Sequence, residues 1–594
     1  MDRSPSRGKP ALSSNRRLYL WYGALLFIIA VIILRLFYLQ IVRHDYYQTK
    51  ALNDQLKQYS IAPSRGLIEA HQAGGVVPLV LNQQLYTLYV DPTLVKNPTA
   101  TADKLAVVTG GNAQNYTSLV KTKNTRYVIL AKQLSQDQNS QILALKLPGV
   151  GLQAQDYRTY PQGSLAAQLL GFVNNAGQGT YGIEQALNSQ LAGTPGQLKA
   201  ITDVNGVPLA ASRDNIQIDP KPGDNVVLTI NLAMQKELEN YLKAGIQRAQ
   251  SDSASALIMD PNSGAILAMA NWPTYDPSQY YNVTDPSVFQ NAAVSLPLEI
   301  GSIMKVLTTS AALDQRVITP TTSYDDPGSW LVDGFTIKNV EEDGGPGQHN
   351  IADILNLSMN TGATWMLMQM GGGQLDQRGR ETWHNYMVDH YQLGKLTGIE
   401  QGYESAGTIP SPDNGPARDL TYANTAFGQS MTATPLQMAA ALSSVINGGV
   451  YYQPHLVDQA ISSSGKVTSN KPKIVDSHVV SPSVSPEIRS LMEYVVRGHL
   501  AEGYTYMKFP SNYSVGGKTG TAQVPSPQGG YYADRFNGTY MGYVGGDKPQ
   551  YVIAVRVSDP HIGGYAGSTA AQPIFADLAH MLINNFNVTP KTGS

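Results

Sequence analysis

The hydrophobic and polar positions change rhythm several times along the chain. Leu18 to Leu34 are apolar apart from glycine and tyrosine, and Leu36 to Val42 extend the run past Arg35. A helix of about 20 such residues crosses the hydrocarbon core of a bilayer, so 18–42 is expected to span one. No small-x-small cleavage site follows it, which favours an uncleaved signal anchor over a removed signal peptide. Residues 1–17 carry Arg3, Arg7, Lys9, Arg16 and Arg17 without an apolar period, and read as a disordered cytoplasmic tail by the positive-inside rule. Everything after His44 is then expected outside the cytoplasm.

Beyond the anchor the signals are mixed. Ser64-Arg65-Gly66-Leu67-Ile68 opens a strand-like passage ending at Tyr89-Val90-Asp91-Pro92. Gln178 to Glu184 precede a helix running towards Leu191, and Pro220-Lys221-Pro222-Gly223-Asp224 is a turn-rich hinge where a domain boundary is placed. After it the pattern tightens. Val226 to Ile230 is a short strand, about 232–250 a helix, and Ser255–Met259 and Ala265–Ala270 two strands joined by Asp260-Pro261-Asn262-Ser263-Gly264, a turn with proline early and glycine last. A long helical middle follows, then strands at Thr539–Val544 and Tyr551–Ser558. Two strands before a helical insert and about three after it predict one antiparallel sheet with a helical subdomain, an α+β layout.

Length and composition change this picture in three respects. At 594 residues the chain is too long for a single core, so two or more domains are expected. A net charge of -2 with no basic stripe interleaved with aromatics gives no case for nucleic acid. The absence of cysteine excludes disulfides, thiol catalysis and thiolate metal sites. His349, His384 and His390 have no carboxylate at metal spacing, so neither a metal nor another cofactor is expected.

The chemistry centres on Ser302 and Lys305, three apart at the start of an apolar, helix-period run. Positions i and i+3 share a helix face, so the amine can reach the hydroxyl and, if its ammonium is destabilised by burial or a second cation, act as its base. Ser118 to Lys121 and Ser463 to Lys466 match the same short pattern, and a lone match is usually a solvated helix face or a loop. Ser302 differs in its company: Ser358-Met359-Asn360 and Lys518-Thr519-Gly520-Thr521 follow in order. Ser13-Ser14-Asn15 and Lys591-Thr592-Gly593 are decoys, one in the tail and one at the chain end. Gly428 to Thr432 falls one residue short of a nucleophile elbow and no strand leads into it. Trp330, Trp365 and Trp383 read as core or surface anchors.

Serine-x-x-lysine, serine-x-asparagine and lysine-threonine-glycine in that order resemble the signature of penicillin-binding proteins and serine β-lactamases. With Arg65-Gly66, Tyr181-Gly182-Ile183-Glu184, Leu228-Thr229-Ile230, Met259-Asp260-Pro261, Gly264 to Met269, Phe427-Gly428-Gln429, Thr434-Pro435-Leu436-Gln437 and Asn447-Gly448-Gly449, the chain is similar to a class B penicillin-binding protein of cell-division type over nearly everything after the tail. The resemblance implies an elongated mixed α/β pedestal (dimerisation-like) domain at 43–224. It also implies a transpeptidase domain of the penicillin-binding protein/serine β-lactamase-like fold at 225–590. Ser302 is then the nucleophile towards stem peptides and β-lactams, Lys305 its base, and Ser358 the proton carrier to the leaving amine with help from Lys518. Asn360 holds Lys305 and the donor peptide, and Thr519, Gly520 and Thr521 form the substrate-binding strand, with amides of Ser302 and Thr521 as the oxyanion hole. A polytopic glycan polymerase and other divisome membrane proteins are the implied partners. No PASTA-like repeat is seen after the catalytic region, which favours the division type over an elongation type. A D,D-carboxypeptidase or β-lactamase-like hydrolase and an inactive scaffold remain the alternatives. The pattern is broken in three places: Ile300 for proline, Asn231 for aspartate, and the pair Ala70-His71 for Asp-Arg.

Overall fold

The computed structural model describes residues 14–47, 50, 56–201, 216–340, 345–526 and 528–592; most of the expected tail, 1–13, lies outside them. By contacts the chain divides into two units, 1–63 with 194–221, and 64–193 with 222–594.

In the first unit, helix α1 (Ser14–Phe37) begins inside the stretch read as tail and continues through a π-helical turn at Tyr38–Val42. Leu18–Val42 has a mean hydropathy of 2.7 and none of its residues is buried, as a lipid-facing span requires. The Arg35 guanidinium lies 5.6 Å from the Tyr38 ring centre, covering part of its charge with an aromatic face. The same unit holds a three-stranded antiparallel sheet of Leu56–Ile61, Gly196–Ile201 and Ile216–Ile218.

The second unit is built on two sheets. One has seven strands and includes β1 (Ile68–Gln72), β2 (Gly75–Val90) and β3 (Asn225–Asn231). β3, the strand that follows the hinge, pairs in parallel with β1 and antiparallel with Val457–Ile461. Arg65 and Glu184, read in two separate motifs, meet here: Arg65 Nε donates to Glu184 Oε2 at 2.6 Å and Arg158 Nε to Oε1 at 2.9 Å. Glu184 is fully buried, and the two guanidiniums give each of its carboxyl oxygens a partner. The expected helix after Glu184 is two short ones, Gly182–Ala186 and Asn188–Leu191.

Asn231 ends β3 and caps α2 (Leu232–Ala249), its side chain accepting from the Met234 amide. Asparagine caps as well as aspartate, so that departure costs the helix nothing. His71, the second of the Ala70-His71 pair, makes a half-buried contact of 3.0 Å to Asp458.

The second sheet has five antiparallel strands: β4 (Ser253–Met259), β5 (Ile266–Trp272), β6 (Ser514–Pro525), β7 (Tyr531–Gly545) and β8 (Pro549–Ser558), in the order β5-β4-β8-β7-β6. Two strands precede the helical insert and three follow it, as the sequence pattern predicts, and Lys518 lies on the edge strand. One face packs apolar residues such as Ile258, Tyr540 and Val555 against α2 and the C-terminal helix Gln572–Asn585. On the other, Leu257, Met541 and Ala554 meet α3 (Met304–Asp314) and the helical subdomain. Every residue of α3 from Met304 to Leu313 is buried, so the helix that follows Ser302 is held on all sides.

Candidate active site

Ser302 does not lie within the α-helix expected for it. Gly301–Ile303 forms a 3-10 turn and α3 starts at Met304. Side chains three apart nearly eclipse in a 3-10 turn, so the serine and lysine still meet, with Lys305 Nζ 2.9 Å from Ser302 Oγ. Gly301 has φ +63°, and a Cβ there would stand 2.7 Å from the Thr521 carbonyl. Only glycine lets the turn approach the edge strand this closely. Its amide donates to the Gly428 carbonyl at 3.0 Å. Gly428, at φ +83°, presses equally close, a Cβ being 2.1 Å from the Gly301 carbonyl.

The second motif stands between two helices. Asn350 caps Ile351–Asn356 in a reciprocal capping box with Asp353, Leu357 closes the helix, and Ser358 just beyond takes a left-handed φ of +57°. That turn aims both oxygens of Ser358 at Lys305: Nζ donates to the carbonyl in a short bond and lies 3.2 Å from the hydroxyl. Asn360 opens α4 (Asn360–Met370), accepting from Lys305 through Oδ1 at 2.8 Å and donating through Nδ2 to the Lys338 carbonyl at 3.2 Å. From β6, Lys518 Nζ reaches Ser358 Oγ at 3.0 Å and Thr519 Oγ1 at 3.3 Å. Both lysines are buried, Lys305 at 0 % and Lys518 at 1 % exposure.

A cavity of about 600 Å³ opens over this cluster, lined by Ser302, Ser358, Asn360, Thr519 and Thr521. Gly520 does not line it; its Cα packs towards Thr539 Oγ1 and the Ile300 carbonyl. The Thr521 hydroxyl accepts from the Gly567 amide at 3.0 Å. Ile300 is buried, and its carbonyl accepts from Thr539 Oγ1 at 3.1 Å. Ser302 and Lys305, Ser358 and Asn360, and Lys518 with the two threonines are thus gathered from three distant stretches.

Further residues of the cavity carried no signal of their own in the sequence. His499, Tyr504, Phe536 and Tyr565 line it, as do Phe427 and Gln429 from a motif quoted for its resemblance alone. His499 is 5 % exposed, with Nδ1 2.9 Å from Gln572 Nε2. Burial pushes its pKa down to about 3, and the charge of Lys518 adds to the effect. Glu299, just before the nucleophile turn, is raised above the usual carboxyl range by burial. Trp383 is a core residue donating to Thr425, Trp365 packs on Tyr324, and Trp330 donates to the Thr361 carbonyl.

The arrangement suits proton transfer to and from a serine. The Ser358 carbonyl and Asn360 Oδ1 can only accept, so each takes an N–H of Lys305, and the amine also faces the Ser302 hydroxyl at 2.9 Å. The Ser358 hydroxyl lies within reach of both lysines, a bridge along which a proton can pass.

Comparison with known proteins agrees with this geometry. A family model of the penicillin binding protein transpeptidase domain matches residues 254–580, and one of the penicillin-binding protein dimerisation domain matches 60–228. The chain is 31% identical over 578 residues to stage V sporulation protein D of Bacillus subtilis, covering 96% of this chain and 86% of that one. It is 26% identical over 589 residues to the peptidoglycan D,D-transpeptidase FtsI of Escherichia coli, covering 97% and 92%. Among solved structures, penicillin binding protein 3 of Mycobacterium tuberculosis complexed with ampicillin superposes with a TM-score of 0.66 at 25% identity, over 90% of this chain and 98% of that one. Penicillin binding protein 2X of Streptococcus thermophilus, at 23% identity, shares the fold with a TM-score of 0.69 over 89% and 80%.

Proposed function

The chain belongs to the class B penicillin-binding proteins, and from that premise we propose that it is a serine-type peptidoglycan D,D-transpeptidase that crosslinks stem peptides in septal wall synthesis and is acylated by β-lactams. The observation that carries this reading is the single hydrogen-bonded group formed by Ser302, Lys305, Ser358, Asn360 and Lys518. Ser302 Oγ attacks the carbonyl carbon of the penultimate D-alanine while its proton moves to the Lys305 amine. The peptide C–N bond then breaks, and the proton passes through the Ser358 hydroxyl to the departing D-alanine nitrogen. An amine of a second stem peptide attacks the resulting ester, the Ser302–acyl bond breaks, and Ser302 recovers a proton. The amides of Ser302 and Thr521 face the developing oxyanion, and Thr519 and Thr521 hold the substrate carboxylate. Gly520 serves this strand by close packing.

Likeness to the D,D-transpeptidase FtsI across nearly the whole of both chains favours the division type. The Leu18–Val42 helix supports a membrane-anchored protein. With the basic tail in the cytoplasm, 225–590 would act outside it and 43–224 would serve as its pedestal. We assign the anchor and pedestal as the surfaces for a polytopic glycan polymerase and other division proteins.

The test is covalent labelling of the full-length chain with a fluorescent penicillin, Ser302→Ala as control and the adduct mapped by mass spectrometry. A stable adduct on Ser302, absent from the variant, is expected. Release within minutes would indicate a hydrolase instead, and a folded wild type that never labels would indicate a scaffold.

A further inference from the structure

Three segments meet beside the nucleophile and share one carboxylate. Glu299 lies one residue before the Ile300–Ser302 turn and is 9 % exposed. Its Oε1 accepts from the Ser430 amide at 2.9 Å and from the Tyr531 hydroxyl at 2.8 Å, while Oε2 is buried without a partner among the described residues. Ser430 belongs to the turn holding Gly428, and Tyr531 starts β7 opposite Pro525 at the end of β6. Phe427 and Gln429 on one side, and Thr521 and Gln523 on the other, line the cavity. The carboxylate therefore takes one bond from each wall of the cleft at the base of the turn that presents Ser302. Backbone contacts also tie the turn, Gly301 N to the Gly428 carbonyl at 3.0 Å and Leu298 paired with Ala433 at 3.0 Å on one side, and the Ile300 carbonyl to Thr539 Oγ1 at 3.1 Å with the close Gly301–Thr521 approach on the other. Glu299 adds to them a side chain that bonds both walls through one oxygen.

We propose that Glu299, through Tyr531 and Ser430, is a positioning residue for acylation: it sets the distance between the Ser302 turn and the edge strand whose Thr521 amide faces the oxyanion. This rests on the transpeptidase reading above. Hydrogen-bond acceptance is the property required, and the negative charge is not, since no cation pairs with Glu299 among the described residues. A glutamine at 299 keeps an acceptor for both donors, and its amide takes the place of the orphaned Oε2. Because the oxyanion exists only in the transition state, loosening the junction acts on the acylation step and leaves ground-state binding nearly intact.

The experiment measures acylation of the full-length chain in detergent by a fluorescent penicillin. The Kd of the reversible complex is resolved from the acylation rate constant for wild type, Tyr531→Phe, Glu299→Gln and Glu299→Ala, with thermal melting of each. Tyr531→Phe keeps the ring and removes one bond to a buried acceptor. It is expected to lower the acylation rate constant about 10- to 100-fold with Kd changed less than about threefold. Glu299→Ala should lose at least as much, and Glu299→Gln should return to within about threefold of wild type. An unchanged rate constant in Tyr531→Phe, a loss confined to Kd, or a Glu299→Gln as slow as Glu299→Ala would each overturn the proposal. A wild type that fails to label would instead overturn the transpeptidase reading, so the two failures are distinct.

Discussion

The bridging role given to Ser358 makes a prediction that a double-mutant cycle can decide. Its hydroxyl stands 3.2 Å from Lys305 Nζ and 3.0 Å from Lys518 Nζ, so one oxygen joins the two lysines. Removing a positioned proton carrier typically slows a reaction about 10²- to 10⁴-fold, or roughly 3–5 kcal/mol of barrier. Ser358→Ala is expected in that range. Lys518→Met keeps the buried aliphatic stem of a residue that is 1 % exposed and removes only the ammonium; it is expected in the same range. If the two act independently, the double variant should show the product, about 10⁴- to 10⁸-fold. If the proton travels through Ser358 under the influence of Lys518, the second change has little left to remove. The double variant should then fall within about tenfold of the slower single one. The assay is the acylation rate constant with a fluorescent penicillin at saturating concentration, with melting curves to show that each variant folds. Losses that multiply would refute the bridge and leave Ser358 and Lys518 with separate tasks.

Two further predictions concern residues at the cavity's edge. His499 has a folded pKa of about 3, depressed by burial first and by Lys518 second, against an ordinary value of 6.5. The stability it confers is therefore full above about pH 6.5 and lost as pH falls towards 3, at up to about 1.4 kcal/mol per pH unit. The Tm advantage of wild type over His499→Gln should shrink from pH 7 to pH 5, and a constant difference would refute the assignment. Ile300 has φ -83° and ψ -14°, near what proline requires, and its amide donates to no group among the described residues. Ile300→Pro should therefore leave the acylation rate within about threefold while lowering stability by about 1–2 kcal/mol through lost side-chain burial; a tenfold change in rate would show that residue 300 shapes the Gly301 turn.

The five-strand sheet could be read from the sequence because its strands are short apolar runs bounded by turn residues, such as Ser255–Met259 before Pro261 and Gly264. The Ser302 turn was misread in one detail. The apolar period that marks α3 extends back through Ile303, and periodicity alone cannot separate a 3-10 turn from the α-helix it feeds. What decides the matter is tertiary: the positive φ of Gly301 and its approach to Thr521, a residue 220 positions away. Around Glu184 the contacts are likewise tertiary: the residue sits in the short helix Gly182–Ala186 with its carboxyl between Arg65 and Arg158, contacts that periodicity does not carry.

The candidate site shows the same division. Ser302, Lys305, Ser358, Asn360 and Lys518 were legible because their chemistry needs fixed residue types at fixed short spacings, and the fold then had only to bring three such pieces together. Glu299, Tyr531 and His499 were not, because what they do depends on burial and on partners 131, 232 and 73 positions distant. A glutamate before a glycine-serine pair reads like any surface glutamate until its side chain is seen to be buried. A tyrosine after two glycines reads as part of a loose hairpin until its hydroxyl is seen on that glutamate. The motifs thus name the groups to which proton exchange is assigned, whereas the walls around those groups are held by residues whose types are ordinary and whose positions in space are not. Substitutions at the second kind should accordingly alter rates while every motif remains intact, so an unaltered set of motifs is no measure of an unaltered site.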